Sequence, residues 1–125
     1  MRLHLTLTGA MLVILTLSAA CGSNYAPTAP ASPAPVVAAD VTITINGMNG
    51  SLSFSPNPAT VTAGQTVAWR NGDSVAHTAT SDTGAFDTGT LTPGATSAPI
   101  MMSATGSLNY HCKIHPSMVG TLTVT

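Results

Sequence analysis

Beyond residue 40 the chain falls into short β-branched runs, the first two of which alternate apolar and polar residues with a period of two. No segment there sustains the three-and-four spacing of an amphipathic helix. Residues 41–45 (Val-Thr-Ile-Thr-Ile) and 51–55 (Ser-Leu-Ser-Phe-Ser) read as half-buried strands. Pro56-Asn57-Pro58 breaks the second run. Residues 59–62 and 66–70 form two more strands around an Ala63-Gly64-Gln65 turn, and Asn71-Gly72-Asp73 is a turn signal. Residues 75–81, 96–102, 107–112 and 119–125 complete the set, punctuated by Asp82-Thr83-Gly84 and Thr92-Pro93-Gly94. Seven to eight short strands at this spacing predict an all-β sandwich or barrel. Trp69, Phe54, Phe86 and the inward aliphatic positions are its expected core. Met48, Met101 and Met102 are expected to fill gaps in it. No internal repeat is present.

The first forty residues follow other rules. Arg2 precedes an apolar run over residues 5–17, and Ser18-Ala19-Ala20 leads to Cys21. The run is short for a spanning helix and reads as an export signal over residues 1–20; the competing reading is an uncleaved anchor. Leu17-Ser18-Ala19-Ala20-Cys21-Gly22-Ser23 resembles a bacterial lipoprotein signal, in which the cysteine becomes the lipid-bearing first residue. Ser18 stands where leucine is commonest, so simple cleavage near Ala20 is the alternative outcome. The expected location is the periplasm or the outer face of the membrane, through a lipid on Cys21. Residues 21–39 are rich in Ala, Pro, Ser and Thr and cannot supply a core. In extended polyproline geometry, at roughly 3.1 Å per residue, residues 22–39 reach about 55 Å, a tether if Cys21 is anchored and a plain tail otherwise. Residues 40–125 are left as the folded domain, above the roughly 55–65 residues at which single domains commonly fold alone.

Charge narrows the function classes. The 125 residues carry three Lys+Arg and four Asp+Glu, a net charge of −1. After Cys21 the only cations of that kind are Arg70 and Lys113. Phosphate neutralisation needs many more, so nucleic acid is excluded as a partner. Docking to any protein must work mainly through apolar contact.

The cysteines sharpen the picture. An exported pair ordinarily suggests a disulfide. If Cys21 carries lipid, Cys112 has no partner, and a lone thiol in an oxidising compartment calls for a use such as a metal. Its surroundings supply one. Tyr110-His111-Cys112-Lys113-Ile114-His115-Pro116-Ser117-Met118-Val119-Gly120 places Cys, His and Met at Cys-x2-His-x2-Met spacing between two predicted strands. His77 lies upstream, after the Asn71-Gly72-Asp73 turn. One thiolate, two imidazoles and a weak thioether suit copper in both oxidation states, and two His with one Cys and a distant axial Met is the donor set of a blue-copper centre. Zinc would take the first three but seldom a Met. Singly, His77 is more often a loop residue and Met118 a core residue; the joint spacing carries the inference. His111 neighbours Cys112 and on a strand faces the other way, which makes it a structural or surface residue. His4 falls in the signal.

With these residues in view, the chain resembles the cupredoxins of the plastocyanin and amicyanin family, over about residues 41–125. The resemblance includes Phe54-Ser55-Pro56, Val61-Thr62-Ala63-Gly64, Thr66 to Asn71, Asp73 to His77 and the loop from Tyr110 to Gly120. The short Cys-to-Met loop is similar to that of amicyanin. The resemblance implies a Greek-key β-sandwich of eight strands with one type 1 copper at one end, cycling between Cu(I) and Cu(II). It implies His77 and His115 as imidazole ligands, Cys112 as thiolate and Met118 as axial ligand. It also implies His115 as the electron port, inside an apolar patch to which Pro93 and Pro116 would contribute. Two departures stand out: Thr78 where plant-type plastocyanins have Asn, and Ile114 where amicyanin has Pro.

The function expected is one-electron transfer between exported redox donor and acceptor proteins by a monomer that is not an enzyme. Two rivals share the sequence: a copper-delivery protein with the same ligands, and a structural β-sandwich with no redox role.

Overall fold

A computed structural model describes residues 37–125. The export signal, Cys21 and most of the tether lie outside the described residues. No helix among the described residues is long and apolar enough to cross a membrane.

The expected all-β sandwich forms, from eight strands in two four-stranded sheets. β1 is Val41–Ile45, β2 Phe54–Ser55, β3 Ala59–Val61 and β4 Thr66–Asn71. β5 is Thr80–Ser81, β6 Ile100–Met101, β7 Gly106–His111 and β8 Val119–Val124. One sheet runs β2-β1-β4-β6 and the other β3-β8-β7-β5. β1 pairs in parallel with β4, and β3 in parallel with β8; the other pairings are antiparallel.

Alternation decides which side chains face inward. In β1, Ile43 and Ile45 are buried, while Thr42 is exposed. In β4, Val67, Trp69 and Asn71 are buried, and in β8 Gly120, Leu122 and Val124. Trp69 stacks on Phe86 at 4.7 Å between ring centroids, and Tyr110 meets Phe54 edge-on at 4.8 Å. Each such pair adds about 0.5–1.5 kcal/mol beyond its buried area. Among the described residues, the Trp69 Nε1 and the Tyr110 hydroxyl have no hydrogen-bond partner although both are buried. Burial pushes the Tyr110 hydroxyl up to about 12, only partly offset by the neighbouring indole of Trp69.

Four expectations need correction. The alternation at 51–55 mimics a strand, but Gly50–Leu52 is a 3-10 turn and Leu52 is exposed; only Phe54 and Ser55 pair with β1. Of residues 75–81, only the last two form a strand. Of residues 96–102, only Ile100 and Met101 do. Met102 packs in the core as expected, whereas Met48 and Met101 are 60% and 65% exposed and fill nothing.

The sandwich is tied across long stretches of chain. Asp40 Oδ2 accepts from both the amide and the hydroxyl of Thr66. The Asn57 amide donates to Val119 O, and its Oδ1 accepts from the Thr121 amide, 62 and 64 residues away. These ties fix the start of β8, and with it the end of the loop that follows β7.

Candidate metal centre

β7 ends at His111 and β8 begins at Val119, so residues 112–118 form a short loop between adjacent antiparallel strands. The loop closes on its own backbone: the Cys112 amide donates to Met118 O, and the Met118 amide to His115 O. Cys112 and Met118 are fully buried and His115 is half-buried.

His77 arrives from the other sheet, on the segment that leaves β4. Buried Asn71 shapes that segment. Its side-chain amide donates to Val75 O at 2.7 Å and Leu91 O at 2.9 Å, while its Oδ1 accepts from the Asp73 amide. His77 and Leu91 then exchange both backbone hydrogen bonds. The fixed turn brings the Asp73 carboxylate 2.8 Å from His77 Nε2. The hydrogen bond from His77, with the Ser74 amide second, holds the Asp73 carboxyl below its ordinary value. An ionised carboxylate can only accept, so in the neutral imidazole Nε2 carries the proton and Nδ1 offers its lone pair inward. Asp73 thus sets the tautomer and raises the donor strength of the ring. Gly47 makes room for it: a Cβ at that position would lie 3.1 Å from Asp73 Oδ2.

Three donor atoms converge. His77 Nδ1 and His115 Nδ1 are 3.1 Å apart, and Cys112 Sγ lies 3.8 Å from the first and 3.9 Å from the second. Bonds of about 2.0–2.1 Å to nitrogen and about 2.3 Å to sulfur, spread in a plane, would separate N from N by roughly 3.5 Å and N from S by roughly 3.8 Å. The triangle therefore fits one metal ion with little adjustment. Among the described residues this is the one group of three His, Cys or carboxylate side chains so placed.

The thiol is prepared for the same role. Burial alone would raise its pKa, but the Thr78 amide, backbone donors of the 112–118 loop and the His77 ring outweigh it and lower it to about 6. The Thr78 amide lies 3.3 Å from Sγ. Thr78, where the sequence departs from the plastocyanin Asn, also has a side-chain role: its hydroxyl accepts the Lys113 amide at 2.8 Å. His111 points away from the cluster, as expected, and pairs with Asp82 at 2.6 Å.

The structure thus brings His77, Cys112 and His115 together and buries Met118 at the end of the same loop. Sequence reasoning missed Asp73 and Asn71 as anything beyond turn formers. The available signal was a carboxylate four residues before a candidate ligand.

A cupredoxin-like domain model matches residues 8–124. A comparison with curated proteins gives no match. Among solved structures, a purple cupredoxin from Nitrosopumilus maritimus aligns with TM-score 0.60 and 29% identity, over 69% of this chain and 100% of its own. A Cu(I) form of an amicyanin variant aligns with TM-score 0.62 and 21% identity, over 73% of this chain and 87% of its own. A reduced amicyanin variant aligns with TM-score 0.61, also at 21% identity, over 71% and 87%. The domain model spans most of the chain and the eight-stranded sandwich agrees with it, so the chain belongs to the cupredoxin-like domain family.

Proposed function

We propose that this protein is an exported one-electron carrier holding a single type 1 copper ion with His77, Cys112, His115 and Met118. The observation that carries the reading is the triangle of two imidazole nitrogens and one thiolate sulfur, with separations of 3.1, 3.8 and 3.9 Å. Copper held there would supply the Cu(I)/Cu(II) couple. The chain's part is to keep the donors rigid and dry, so that little rearranges when an electron arrives. Burial of Cys112, His77 and Met118 favours retention over hand-over to an acceptor, and so favours a carrier above a delivery protein. His115 is the half-buried member of the cluster, and exposed Ile114 and Pro116 flank it on the same loop. These residues suit an apolar docking patch for donor and acceptor proteins, with His115 as the port.

The direct test is to load the purified protein with one equivalent of Cu(II). The expected result is tight binding at one to one, an intense thiolate-to-copper band in the visible and a type 1 paramagnetic-resonance spectrum. Uptake without such a band would reject the type 1 reading, and rapid loss of copper to a weak chelator would favour delivery.

Met118 is read as the axial ligand. Met118→Gln is expected to retain copper and lower the reduction potential, because an amide oxygen favours Cu(II) more than a thioether does. A tenfold change in that preference corresponds to about 59 mV, and a shift of that order or larger is expected by voltammetry. A potential within a few millivolts of the parent would remove Met118 from the ligand set.

We also propose that Cys21 is lipidated and that residues 22–39 tether the domain to a membrane. Two acyl chains suffice for stable anchoring where one does not. Mass spectrometry of the native N-terminus should find a lipid-modified Cys21; a plain N-terminus near Ala20 would make the carrier freely diffusing.

A further inference from the structure

Outside the donor triangle, one other polar network reaches the thiolate. Thr78 Oγ1 lies 3.3 Å from Thr80 Oγ1, and the Thr80 hydroxyl donates to Asp87 Oδ1 at 3.1 Å. The Gly89 amide donates to the same oxygen at 3.0 Å. The other carboxylate oxygen, Oδ2, accepts from Lys113 Nζ. The Lys113 amide in turn donates to Thr78 Oγ1 at 2.8 Å. The network is a ring that leaves Lys113 through its backbone and returns through its side chain.

Its proton directions are fixed by counting. Each hydroxyl has one proton to give. The carboxylate can only accept, so the Thr80 proton goes to Asp87 and the Thr80 oxygen must accept from Thr78. The Thr78 proton is then committed, and its lone pair is left for the Lys113 amide. Thr78 and Thr80 are buried, which makes an unmatched orientation costly. The bond from Lys113, and then the Gly89 amide, hold the Asp87 carboxyl below its ordinary value, so it stays the acceptor that the ring requires.

We propose that Asp87 is a positioning residue for the Cys112 thiolate, aligning the Thr80–Thr78 hydroxyl relay with the Lys113 amide while holding the Lys113 side chain from the opposite side. The residue after the thiolate is thereby fixed at both ends. Thr78 touches both members, since its own amide points at Sγ. Asparagine at position 87 would keep the shape but could offer its NH2 to Thr80, and the direction of the relay would no longer be imposed. The metal-centre part of this proposal rests on Cys112 being a copper ligand; the ring itself does not.

The test uses the whole chain and three variants, Asp87→Asn, Thr80→Val and Thr80→Ser, first without metal. Amide hydrogen exchange is read at Lys113 and normalised to Tyr110 in the preceding strand, β7. Asp87→Asn and Thr80→Val should speed Lys113 exchange by roughly fivefold to tenfold, the equivalent of about one net hydrogen bond. Thr80→Ser, which keeps the hydroxyl, should exchange like the parent. After loading with Cu(II), the first two variants should shift the ratio of the thiolate-to-copper bands, and Thr80→Ser should restore it. Parent-like exchange and bands in Thr80→Val, even with a lowered melting temperature, would overturn the proposal. Thr80→Val is near-isosteric, so it decides the matter should Asp87→Asn fail to fold. If the parent takes up no copper, the carrier reading fails, and the metal-free exchange still judges the ring.

Discussion

Cys112→Ser is expected to give a folded, colourless protein. The visible band proposed for the copper-loaded parent would arise from charge transfer out of the thiolate, and a serine hydroxyl is a hard, barely acidic substitute that cannot supply it. The loss should be complete. Copper affinity should fall by more than about a hundredfold, beyond the 10–100-fold that loss of an outer-shell partner typically costs. Folding should survive, because the serine oxygen would still meet the Thr78 amide and the two imidazole nitrogens that surround Sγ. Titration with Cu(II), followed by absorption and far-ultraviolet circular dichroism, separates the two effects. A variant that kept the parent's band would show that Cys112 is not the thiolate ligand. A variant that lost its sheet signal would mean that Cys112 serves the fold as much as the site.

Gly120→Ala should produce the largest loss of stability of any Gly→Ala change among the described residues. Gly120 lies directly opposite Tyr110 across the β7–β8 pair. A Cβ on it would stand 2.3 Å from Tyr110 Cζ and 2.5 Å from its hydroxyl oxygen. The ring cannot step aside, because it is held among Phe54, Trp69 and Phe86. Overpacking of a fixed core typically costs about 1–3 kcal/mol, and a clash this deep against an immobile ring belongs at or above the upper end. At about 4–8 °C per kcal/mol for a domain of this size, the melting temperature should fall by roughly 12–24 °C. Scanning calorimetry measures it. Adding Tyr110→Leu should return part of the loss, a coupling that a double-mutant cycle reads directly. A fall of less than about 4 °C in the single variant would show that the ring does not lie over the glycine.

The contrast between legible and illegible parts has a physical basis. β1, β4, β7 and β8 were readable because each exposes one face, which imposes alternation on the sequence. Three of the four proposed ligands were readable because a single loop carries them, so their spatial closeness is also closeness in sequence. His77 was readable only in company with them. Residues 75–79 lie in a run that read as a strand, yet side chains decide their path: Asn71 binds Val75 O and Leu91 O, and Thr88 accepts the Ala79 amide. Such side-chain-to-backbone bonds leave no periodic trace. Leu52, Met48 and Met101 were misplaced because apolar residues in a short chain need not be inside. Asp73 looked like an ordinary turn residue and nothing in the sequence singled out Asp87; their partners, His77 and Lys113, are assigned by geometry alone. Gly120 entered only as part of the family-like loop, and its necessity appears when Tyr110 is seen to occupy the space above it.

The pairing of β3 with β8 also bears on the order in which the molecule can be made. The Asn57 side chain closes loops of 62 and 64 residues when it grips the first residues of β8. Chains dominated by such distant pairings lose much conformational freedom before any contact rewards the loss, and they fold in milliseconds to seconds rather than microseconds. His77 sits within the span that this closure encircles, while Cys112 and His115 sit just before its end. The donor triangle therefore has no complete early precursor: in a nascent or unfolded chain His77 is far from the Cys112 thiol and the His115 imidazole, and the full set meets only once the last strand has docked. Copper held there as proposed would enter a finished container, after the final strand has docked.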